Sequence, residues 1–461
     1  MKSFSRQSES HRTNGGTVMI EASAESKKPT LPQRKVSTAR VLAAAMLGTT
    51  IEWYDFFIYG TAAALIFSHV FFPSSDPATG TLTAFAAFGA GFIMRPLGAV
   101  IIGHLGDKYG RRPMLVATVL LMGGATVAIG ILPSYAAIGI WAPSLLVLLR
   151  LLQGFAAGGE WGGATLMAIE HAPQHRRTFY GAFTQAAVPI AYLLSAAMFF
   201  VLQGTLDRPA LLSWGWRIPF LLSIVVVAIA IVVRSGVPES PEFAAKSKRA
   251  ERPPLLQVLT KYPRSVALTI GLTIVTSTDF YLGQVFLLSY ATAKAGVPAS
   301  SMLLVTIMGS AVNAGMTFVA ARVADRIGNR AVFYVGLIGL AVLAFPTYLI
   351  VNTGSFAAIL AVRMVGNAFN AAAYAPIASI LAATFSVKVR YTGISLSYQV
   401  AAVLGGGFAP FIAQALLTAT GSWMAVAGYS VTLCVISFIS MSLLGKAAKE
   451  NHDKAVLPAV A

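Results

Sequence analysis

Seven ionisable side chains lie inside long apolar segments of this 461-residue chain. A charge at the centre of such a segment costs roughly 3 kcal/mol when the segment crosses a bilayer, unless it is paired or hydrated. Apolar packing gives no reason to place charges there, so these side chains are expected to line a polar cavity or to form ion pairs. They are Glu52, Asp55, Arg95, Arg150, Glu160, Asp279 and Arg363.

The carboxyl groups of this set have the chemistry needed to bind and release a proton. Glu52, Asp55 and Tyr59 are spaced i, i+3 and i+7, which places them on one helix face. Asp55 lies about 15 residues, or roughly 22 Å of helix, from the start of its apolar segment, and Asp279 lies equally deep. We predict Asp55 as a proton-coupling acid, with Glu52, Asp279 and Glu160 as further candidates. A permanent ion pair with an arginine is the alternative, and for Asp279 so is contact with a bound solute.

The arginines of this set have the chemistry needed to bind an anion. A guanidinium group can bind both oxygens of a carboxylate, so Arg150 and Gln153, one helical turn apart, are predicted to contact an anionic solute. Arg150 could instead hold a protonatable acid in its ionised form. Arg95 and Arg363 are predicted to form charge pairs, with Asp55 as one possible partner of Arg95.

Uncharged polar side chains in the same apolar segments would suit a small hydroxylated or carboxylated solute. The alternative is ordinary hydrogen bonding between helices, typically worth ~0.6 kcal/mol. The predicted solute contacts are Tyr59, Trp161, Tyr281, Gln284, Asn313, Asn367, Asn370, Tyr398 and Gln399.

The composition predicts the elements that position these residues. Apolar residues make up 56% of the chain and charged residues only 11%, too little charge to cover a water-soluble protein of this length. Apolar stretches of about 20 residues recur, and each is long enough to cross a bilayer. The predicted fold is an all-α polytopic membrane protein with twelve spans, near 40–68, 82–103, 113–133, 143–171, 179–203, 213–234, 264–292, 301–322, 331–351, 356–384, 391–418 and 422–445.

The positive charges predict the orientation. The formal net charge is +17, and Lys and Arg concentrate at both termini and in alternate loops, whereas the other loops hold little beyond Arg208 and Lys294. Basic loops stay on the cytoplasmic side, so both termini are predicted to be cytoplasmic. Charges placed in this way face anionic lipid headgroups and do not indicate a nucleic-acid partner.

The two halves of the chain resemble each other. Asp55-Phe-Phe-Ile-Tyr-Gly is echoed by Asp279-Phe-Tyr-Leu-Gly, and the polar loop Gly103–Arg112 is echoed by Ala321–Arg330. Such a repeat favours two six-helix bundles that rock against each other. The predicted divisions are a cytoplasmic tail (1–39), an N-terminal bundle (40–234), a cytoplasmic loop (235–263), a C-terminal bundle (264–445) and a second tail (446–461). Met19 is a plausible alternative start.

These motifs resemble those of a known family. The loop Gly-x-x-x-Asp-x-x-Gly-Arg-Arg is similar to the loop signature of the major facilitator superfamily. The segments 154–163, 214–220, 239–243 and 398–407 resemble its metabolite:proton symporter branch, whose known members move shikimate, 2-oxoglutarate, citrate, or proline and betaine. The resemblance covers about residues 40 to 445 and implies the two-bundle fold and alternating access.

The repeated loops are predicted to form a cytoplasmic gate. An exposed ion pair contributes under about 1 kcal/mol, so a gate needs several partners. The second copy departs from the pattern at Ala321 and Asn329, which predicts a weaker gate there. The predicted gate residues are Gly103, Asp107, Gly110, Arg111, Arg112, Glu170, Asp325, Arg326, Arg330 and Arg390.

The function hypothesis is a proton-coupled symporter, not an enzyme, that imports a small organic acid such as a shikimate-like or di- or tricarboxylate metabolite. The proton gradient supplies the energy, and no cofactor or metal is predicted. We expect a monomer in the inner membrane of a bacterium, with the solute, protons and lipid as its partners. The alternatives are uptake of a zwitterionic osmolyte such as proline or betaine, and a membrane sensor that binds solute without moving it.

Overall fold

The computed structural model describes residues 38–73, 76–109, 111–158, 165, 168–169, 172–235, 254–386 and 389–456. Over these ranges the chain is helical and contains no β-strand. Most of the predicted first tail and much of the predicted central loop lie outside the described residues. The central segment does contain one short helix, Pro254–Lys261, which buries Val258.

Six long helices make up the N-terminal half. The first two are separated by the short helix Phe67–Val70, and Pro96 and Pro189 lie inside the second and fifth. The helices are α1 (Thr38–Leu65), α2 (Pro77–Tyr109), α3 (Arg111–Ile131), α4 (Trp141–Ala157), α5 (Arg177–Thr205) and α6 (Arg217–Ser235).

Six further helices make up the C-terminal half, and three of them change pitch or bend along their length. Two contain a π-helical turn, and the fourth of the set restarts after a break. The helices are α7 (Pro263–Tyr281, continuing through Leu282–Phe286 to Leu287–Ala293), α8 (Ala299–Ile327), α9 (Asn329–Val351), α10 (Phe356–Tyr374, then Ile377–Thr384), α11 (Arg390–Ala401, continuing through Ala402–Gly407 to Ala409–Thr420) and α12 (Trp423–Val456).

Length and apolar composition mark most of these helices as membrane spans. Eight described helices are long and apolar enough to cross a bilayer, and the pair Arg208–Gly215 and Arg217–Ile229, bent by 44°, is long and apolar enough when its two parts are counted together. Two shorter apolar helices, Val116–Ile131 and Trp141–Ala157, lie in α3 and α4. Together with α1, which carries the acids Glu52 and Asp55, these account for the twelve predicted spans.

Glycines allow α2 and α4 to cross at close range. A Cβ atom added at Gly154 would collide with the main-chain carbonyl of Gly91, and one added at Gly158 would collide with the carbonyl of Arg95. Small residues at four-residue spacing permit this approach of two backbones. The crossing fixes the relative positions of Arg95 on α2 and Arg150 on α4.

The two halves meet along a seam that contains many aromatic rings. Phe57 of α1 packs against Phe280 and Tyr281 of α7, with ring centroids 5.6 and 6.0 Å apart. Tyr192 of α5 packs against Phe280 at 5.8 Å, and Phe88 and Phe92 of α2 pack against Tyr281 at 5.6 and 5.5 Å. We call these six side chains the aromatic layer.

Candidate functional site

Asp55 is buried inside the N-terminal half, where its described partners are hydroxyl groups. The Ser223 hydroxyl of α6 donates to its Oδ1 at 2.7 Å, and the Thr126 hydroxyl of α3 lies beside the same carboxyl group. A hydroxyl can donate to an ionised carboxylate and accept from a protonated one. This surrounding is therefore compatible with both protonation states of Asp55.

A path of polar side chains runs from Asp55 to Arg150. The Thr126 hydroxyl lies beside Asp55 and accepts from the Gln153 side-chain amide at 2.7 Å. The Gln153 Oε1 atom in turn accepts from Arg150 Nη1 at 2.9 Å. Four side chains from α1, α3 and α4 thus form a polar path between the acid and the guanidinium group. We call this path the polar relay.

Aromatic rings surround both buried arginines of the N-terminal half. The Arg150 guanidinium carbon lies 4.0 Å from the Tyr59 ring centroid and 4.7 Å from that of Phe56. The Arg95 guanidinium carbon lies 4.0 Å from the same Phe56 ring and 4.6 Å from Trp53. Cation–π contacts of this kind stabilise a cation that has lost its water.

Glu52, rather than Asp55, is the acid that interacts electrostatically with Arg95. The pairing of Arg95 with Asp55 considered from the sequence is therefore wrong for this structure, in which Asp55 turns towards Ser223. Both acids line a small cavity of about 20 Å³, which is too small for an organic solute and about the size of one water molecule.

The corresponding acid of the C-terminal half has different partners. Asn370 donates to Asp279 Oδ2 at 2.9 Å, and Arg363 interacts electrostatically with the same carboxylate. Asp279 and Arg363 line a cavity of about 40 Å³ that also contains Tyr348 and Cys434. The two acids therefore differ, since Asp279 has an arginine close by and Asp55 is held by hydroxyls.

Several predicted solute contacts of the C-terminal half hydrogen-bond to one another. The Asn313 amide donates to Asn370 Oδ1 at 3.1 Å and to the Asn367 carbonyl at 3.2 Å, and the Gln284 amide donates to Asn367 Oδ1 at 3.4 Å. These bonds join α7, α8 and α10. In this structure the side chains fit the alternative reading of hydrogen bonding between helices.

Other predicted contacts lie on the seam. Gln399 of α11 donates to the Gly158 carbonyl of α4 at 3.0 Å, which joins the two halves. The Tyr398 hydroxyl lies 3.1 Å from that of Tyr374. Tyr281 belongs to the aromatic layer, and its buried hydroxyl has no hydrogen-bond partner among the residues that the structure describes.

At the end of the molecule predicted to be cytoplasmic, the second loop copy joins the halves. The Asp325 carboxylate accepts the main-chain N–H groups of Thr178 and Phe179, each at 3.0 Å. The Thr178 hydroxyl donates to Asn329 Oδ1 at 2.9 Å. Ala321 is fully buried in a cluster with Ala182 of α5. Both departures from the loop pattern thus make contacts between the halves.

Three further predicted gate residues lie in the described part of the chain. Arg326 and Arg330 are exposed, and Arg330 lies against Gly445 of α12, whereas Arg390 Nε donates to the Phe385 carbonyl at 3.4 Å. Four predicted residues lie outside the described residues: Glu160, Trp161, Glu170 and Gly110. Only the helical backbone is described at Gly103, Asp107, Arg111 and Arg112.

The structure adds residues that sequence reasoning missed. Thr126 and Ser223 hold Asp55, and Thr178 and Asn329 join the halves. Hydroxyl groups are common in membrane helices, where they often bond to their own backbone, so the sequence carries no signal that separates these from the others. The sequence signal at Asn329 is its departure from the loop pattern, where the first copy has an arginine.

The fold and the buried polar sites define a polytopic helical transporter, and comparison with known proteins agrees. Residues 41–254 match the family described as "Sugar (and other) transporter", and residues 268–459 match "Major Facilitator Superfamily". The chain belongs to the major facilitator superfamily. It is a multi-pass membrane transporter of the metabolite and sugar type, not an enzyme.

Individual relatives extend over nearly the whole chain. The chain is 40% identical to the shikimate transporter of Escherichia coli, covering 92% of this chain and 99% of that protein. It is also 40% identical to an inner membrane metabolite transport protein of E. coli (88% and 94% covered), and 32% identical to the E. coli proline/betaine transporter (90% and 84% covered).

Solved structures confirm the fold. A D-xylose–proton symporter superposes with a TM-score of 0.70 at 18% sequence identity, covering 88% of this chain and 97% of the other. A partially occluded, inward-open xylose transporter from E. coli gives a TM-score of 0.69 at 16% identity. At such low identity the likeness concerns the fold alone.

Proposed function

We propose that this protein is a proton-coupled symporter that imports a small organic acid of the shikimate type by alternating access. The observation that carries the proposal is the polar relay from Asp55 through Thr126 and Gln153 to Arg150. It joins an acid that can carry a proton to a guanidinium group that can hold a carboxylate.

The relay suggests how proton and solute are coupled. The Thr126 hydroxyl has one proton, which in this structure is donated to the Met122 carbonyl at 2.9 Å. When Asp55 is ionised, this proton can turn to the carboxylate. When Asp55 is protonated, the acid donates to Thr126 instead. Each change alters the Thr126 hydroxyl oxygen that accepts a hydrogen bond from Gln153. This in turn alters the hydrogen bond that Gln153 accepts from Arg150.

The proposal assigns different roles to the two buried acids. Asp55, held by a hydroxyl, exchanges the proton, whereas Asp279 faces Arg363 and Asn370 and supports the C-terminal half. The two halves then rock about the seam, with Asp325 and Thr178 closing the end that we propose to be cytoplasmic. The 40% identity with a shikimate transporter supports an organic acid over an osmolyte.

Uptake into proteoliposomes tests the proposal. The purified protein should accumulate labelled shikimate when the outside is acidic, and a protonophore should abolish the accumulation. Unlabelled 2-oxoglutarate, citrate, proline and betaine compete in parallel assays. Accumulation that survives complete collapse of the pH gradient and membrane potential would show that symport is wrong, and stronger competition by betaine would favour the osmolyte alternative.

Asp55→Asn separates coupling from binding. The variant should still exchange labelled for unlabelled shikimate across the membrane but should not accumulate it against a gradient. The matched control is Asp207→Asn in the exposed loop before α6, where the side chain caps a short helix by accepting the Ala210 N–H. If Asp55→Asn accumulates shikimate as the control does, Asp55 is not the coupling acid.

A further inference from the structure

Two buried arginines share one aromatic ring at the seam. The guanidinium carbons of Arg95 and Arg150 lie 4.0 and 4.7 Å from the Phe56 ring centroid. Arg150 is completely buried and Arg95 is 1% exposed. Two like charges held so close in an apolar setting repel each other, which makes an anion the natural third partner.

The hydrogen-bond donors of Arg95 indicate what that partner is. Its Nε and Nη2 atoms are buried and have no hydrogen-bond partner among the described residues. These two atoms form one edge of the guanidinium group, and their parallel N–H bonds match the two oxygens of a carboxylate. A buried donor without an acceptor is costly, and two on one edge indicate a missing carboxylate.

Arg150 and two tyrosines also carry donors without a partner in the described part of the chain. Arg150 uses Nη1 on Gln153 and Nη2 on the Phe88 carbonyl, at 2.9 and 3.2 Å, while its Nε atom has no partner in the described part of the chain. The hydroxyls of Tyr59 and Tyr281 are also buried without a partner there. Tyr281 interacts electrostatically with both arginines, so this seam brings together donors from both halves.

The charges described at this point set the number of carboxylates. Arg95 and Arg150 contribute two positive charges, and Glu52, which interacts with Arg95, contributes one negative charge. Asp55 adds no charge when it carries the coupled proton, so the surplus in that state is one positive charge, which one carboxylate neutralises. A dicarboxylate or tricarboxylate would bring uncompensated negative charge into a buried site, which is unfavourable.

The aromatic faces at the site argue against a zwitterionic solute. Quaternary ammonium groups bind to open faces of several aromatic rings. Here the Arg95 guanidinium group lies over the rings of Trp53 and Phe92. The Arg150 guanidinium group lies over the rings of Tyr59 and Phe88. A second cation at this place would meet two arginines and rings that each already have a guanidinium group over one face.

We propose that Arg95 and Arg150 together bind a single carboxylate, and that the transported solute is a monocarboxylic acid. The Arg95 edge binds both carboxylate oxygens, Arg150 Nε adds a third hydrogen bond, and the Tyr281 hydroxyl closes on the solute from the C-terminal half. The inference rests on the proposed function, because it takes Arg150 as the solute-binding arginine, and it gives Arg95 a role beyond the charge pair predicted from the sequence.

Equilibrium binding to the purified protein in detergent tests the inference without any gradient. The probe is labelled shikimate, and the competitors are quinate, shikimate methyl ester, 2-oxoglutarate, citrate and betaine. The monocarboxylates should bind most tightly. The ester lacks the charge and should bind roughly 10- to 100-fold more weakly, as expected for the loss of a charge-assisted hydrogen-bond pair.

Arg95→Gln tests the role of the second arginine. It should weaken shikimate binding roughly 10- to 100-fold while leaving the weak binding of the methyl ester unchanged. The control is Arg217→Gln, since Arg217 also stacks on a tryptophan, with its guanidinium carbon 4.2 Å from the Trp216 ring centroid, but lies outside the site. That variant should bind shikimate as the unmodified protein does.

Three outcomes would overturn the inference. The first is that Arg95→Gln weakens acid and ester equally, because Arg95 would then only hold the rings in place. The second is that 2-oxoglutarate, citrate or betaine binds as tightly as the best monocarboxylate. This comparison needs only the unmodified protein, so it can be made even if Arg95→Gln does not fold. The third is that neither monocarboxylate binds. A failure of proton coupling would appear differently, as lost pH-driven uptake with this pattern of binding intact.

Discussion

The Asp325 carboxylate caps the first turn of α5 from the other half of the molecule, by accepting the N–H of Thr178 at 3.0 Å. The first N–H groups of a helix have no partner within the helix, and they carry a partial positive charge. One acidic side chain therefore satisfies free donors and complements the helix dipole at once. This contact exists only while the two halves are together at this end.

Asp325→Ala should loosen this end of the seam. In a Cys434→Ser background, a reporter cysteine placed at the buried Ala182 should react with maleimide about 10-fold faster when Asp325 is replaced, the change expected for loss of roughly 1.5 kcal/mol. Asp207→Ala is the control, because Asp207 also caps a helix, by accepting the N–H of Ala210 in its own loop. That contact does not join the two halves. An unchanged labelling rate would mean that Asp325 does not hold the halves together.

Gly154→Ala should destabilise the protein by forcing α2 and α4 apart. The new methyl group would collide with the Gly91 carbonyl, and overpacking of this kind costs about 1–3 kcal/mol. The apparent melting temperature in detergent should fall. Gly124→Ala on the exposed face of α3 has no atom within 4 Å of the new methyl group, so it should leave the melting temperature unchanged or raise it. Equal effects at the two glycines would contradict the close crossing.

Asp279 and Arg363 should behave as a coupled pair. Arg363→Gln leaves a buried carboxylate beside Asn370 without its cation, and such a loss typically costs about 3 kcal/mol or more. Adding Asp279→Asn to this variant should recover at least half of the lost melting temperature. If the two substitutions are simply additive, the electrostatic interaction between these side chains contributes nothing to stability.

Thr126→Val should uncouple transport while preserving the shape of α3. Valine keeps the volume of threonine but removes the hydroxyl that joins Asp55 to Gln153. Shikimate exchange should persist, and the number of protons moved with each solute should fall. Thr273→Val is matched in burial, because the Thr273 hydroxyl bonds within its own helix to the Thr269 carbonyl. Intact coupling in Thr126→Val would remove the relay from the mechanism.

Most helices of this protein could be predicted closely because their apolar length marks them in the sequence. The predicted spans 331–351 and 356–384 compare with Asn329–Val351 and Phe356–Thr384. The identity of the buried charges was equally clear, because their cost in lipid makes them conspicuous. The twelve-helix fold and the superfamily followed from these features and from the loop motifs.

The partners of the buried charges could not be predicted. Glu52 and Asp55 are three residues apart, so they differ by about 60° around α1, and this rotation decides which neighbour each one meets. Glu52 interacts with Arg95, and Asp55 bonds to Ser223, 168 positions away in the sequence. Such choices depend on helix rotation and crossing, which periodicity does not encode.

The aromatic layer bears on how well the transporter avoids proton leakage. Five ring pairs cross the seam between helices α1, α2 or α5 and helix α7. Each pair contributes about 0.5–1.5 kcal/mol beyond its buried area, so parting the halves with nothing between them is unfavourable. In the proposed symport, a solute that carries a ring of its own would replace part of what is lost. Turnover without solute would thereby be suppressed, and the membrane would keep its proton gradient when no solute is present.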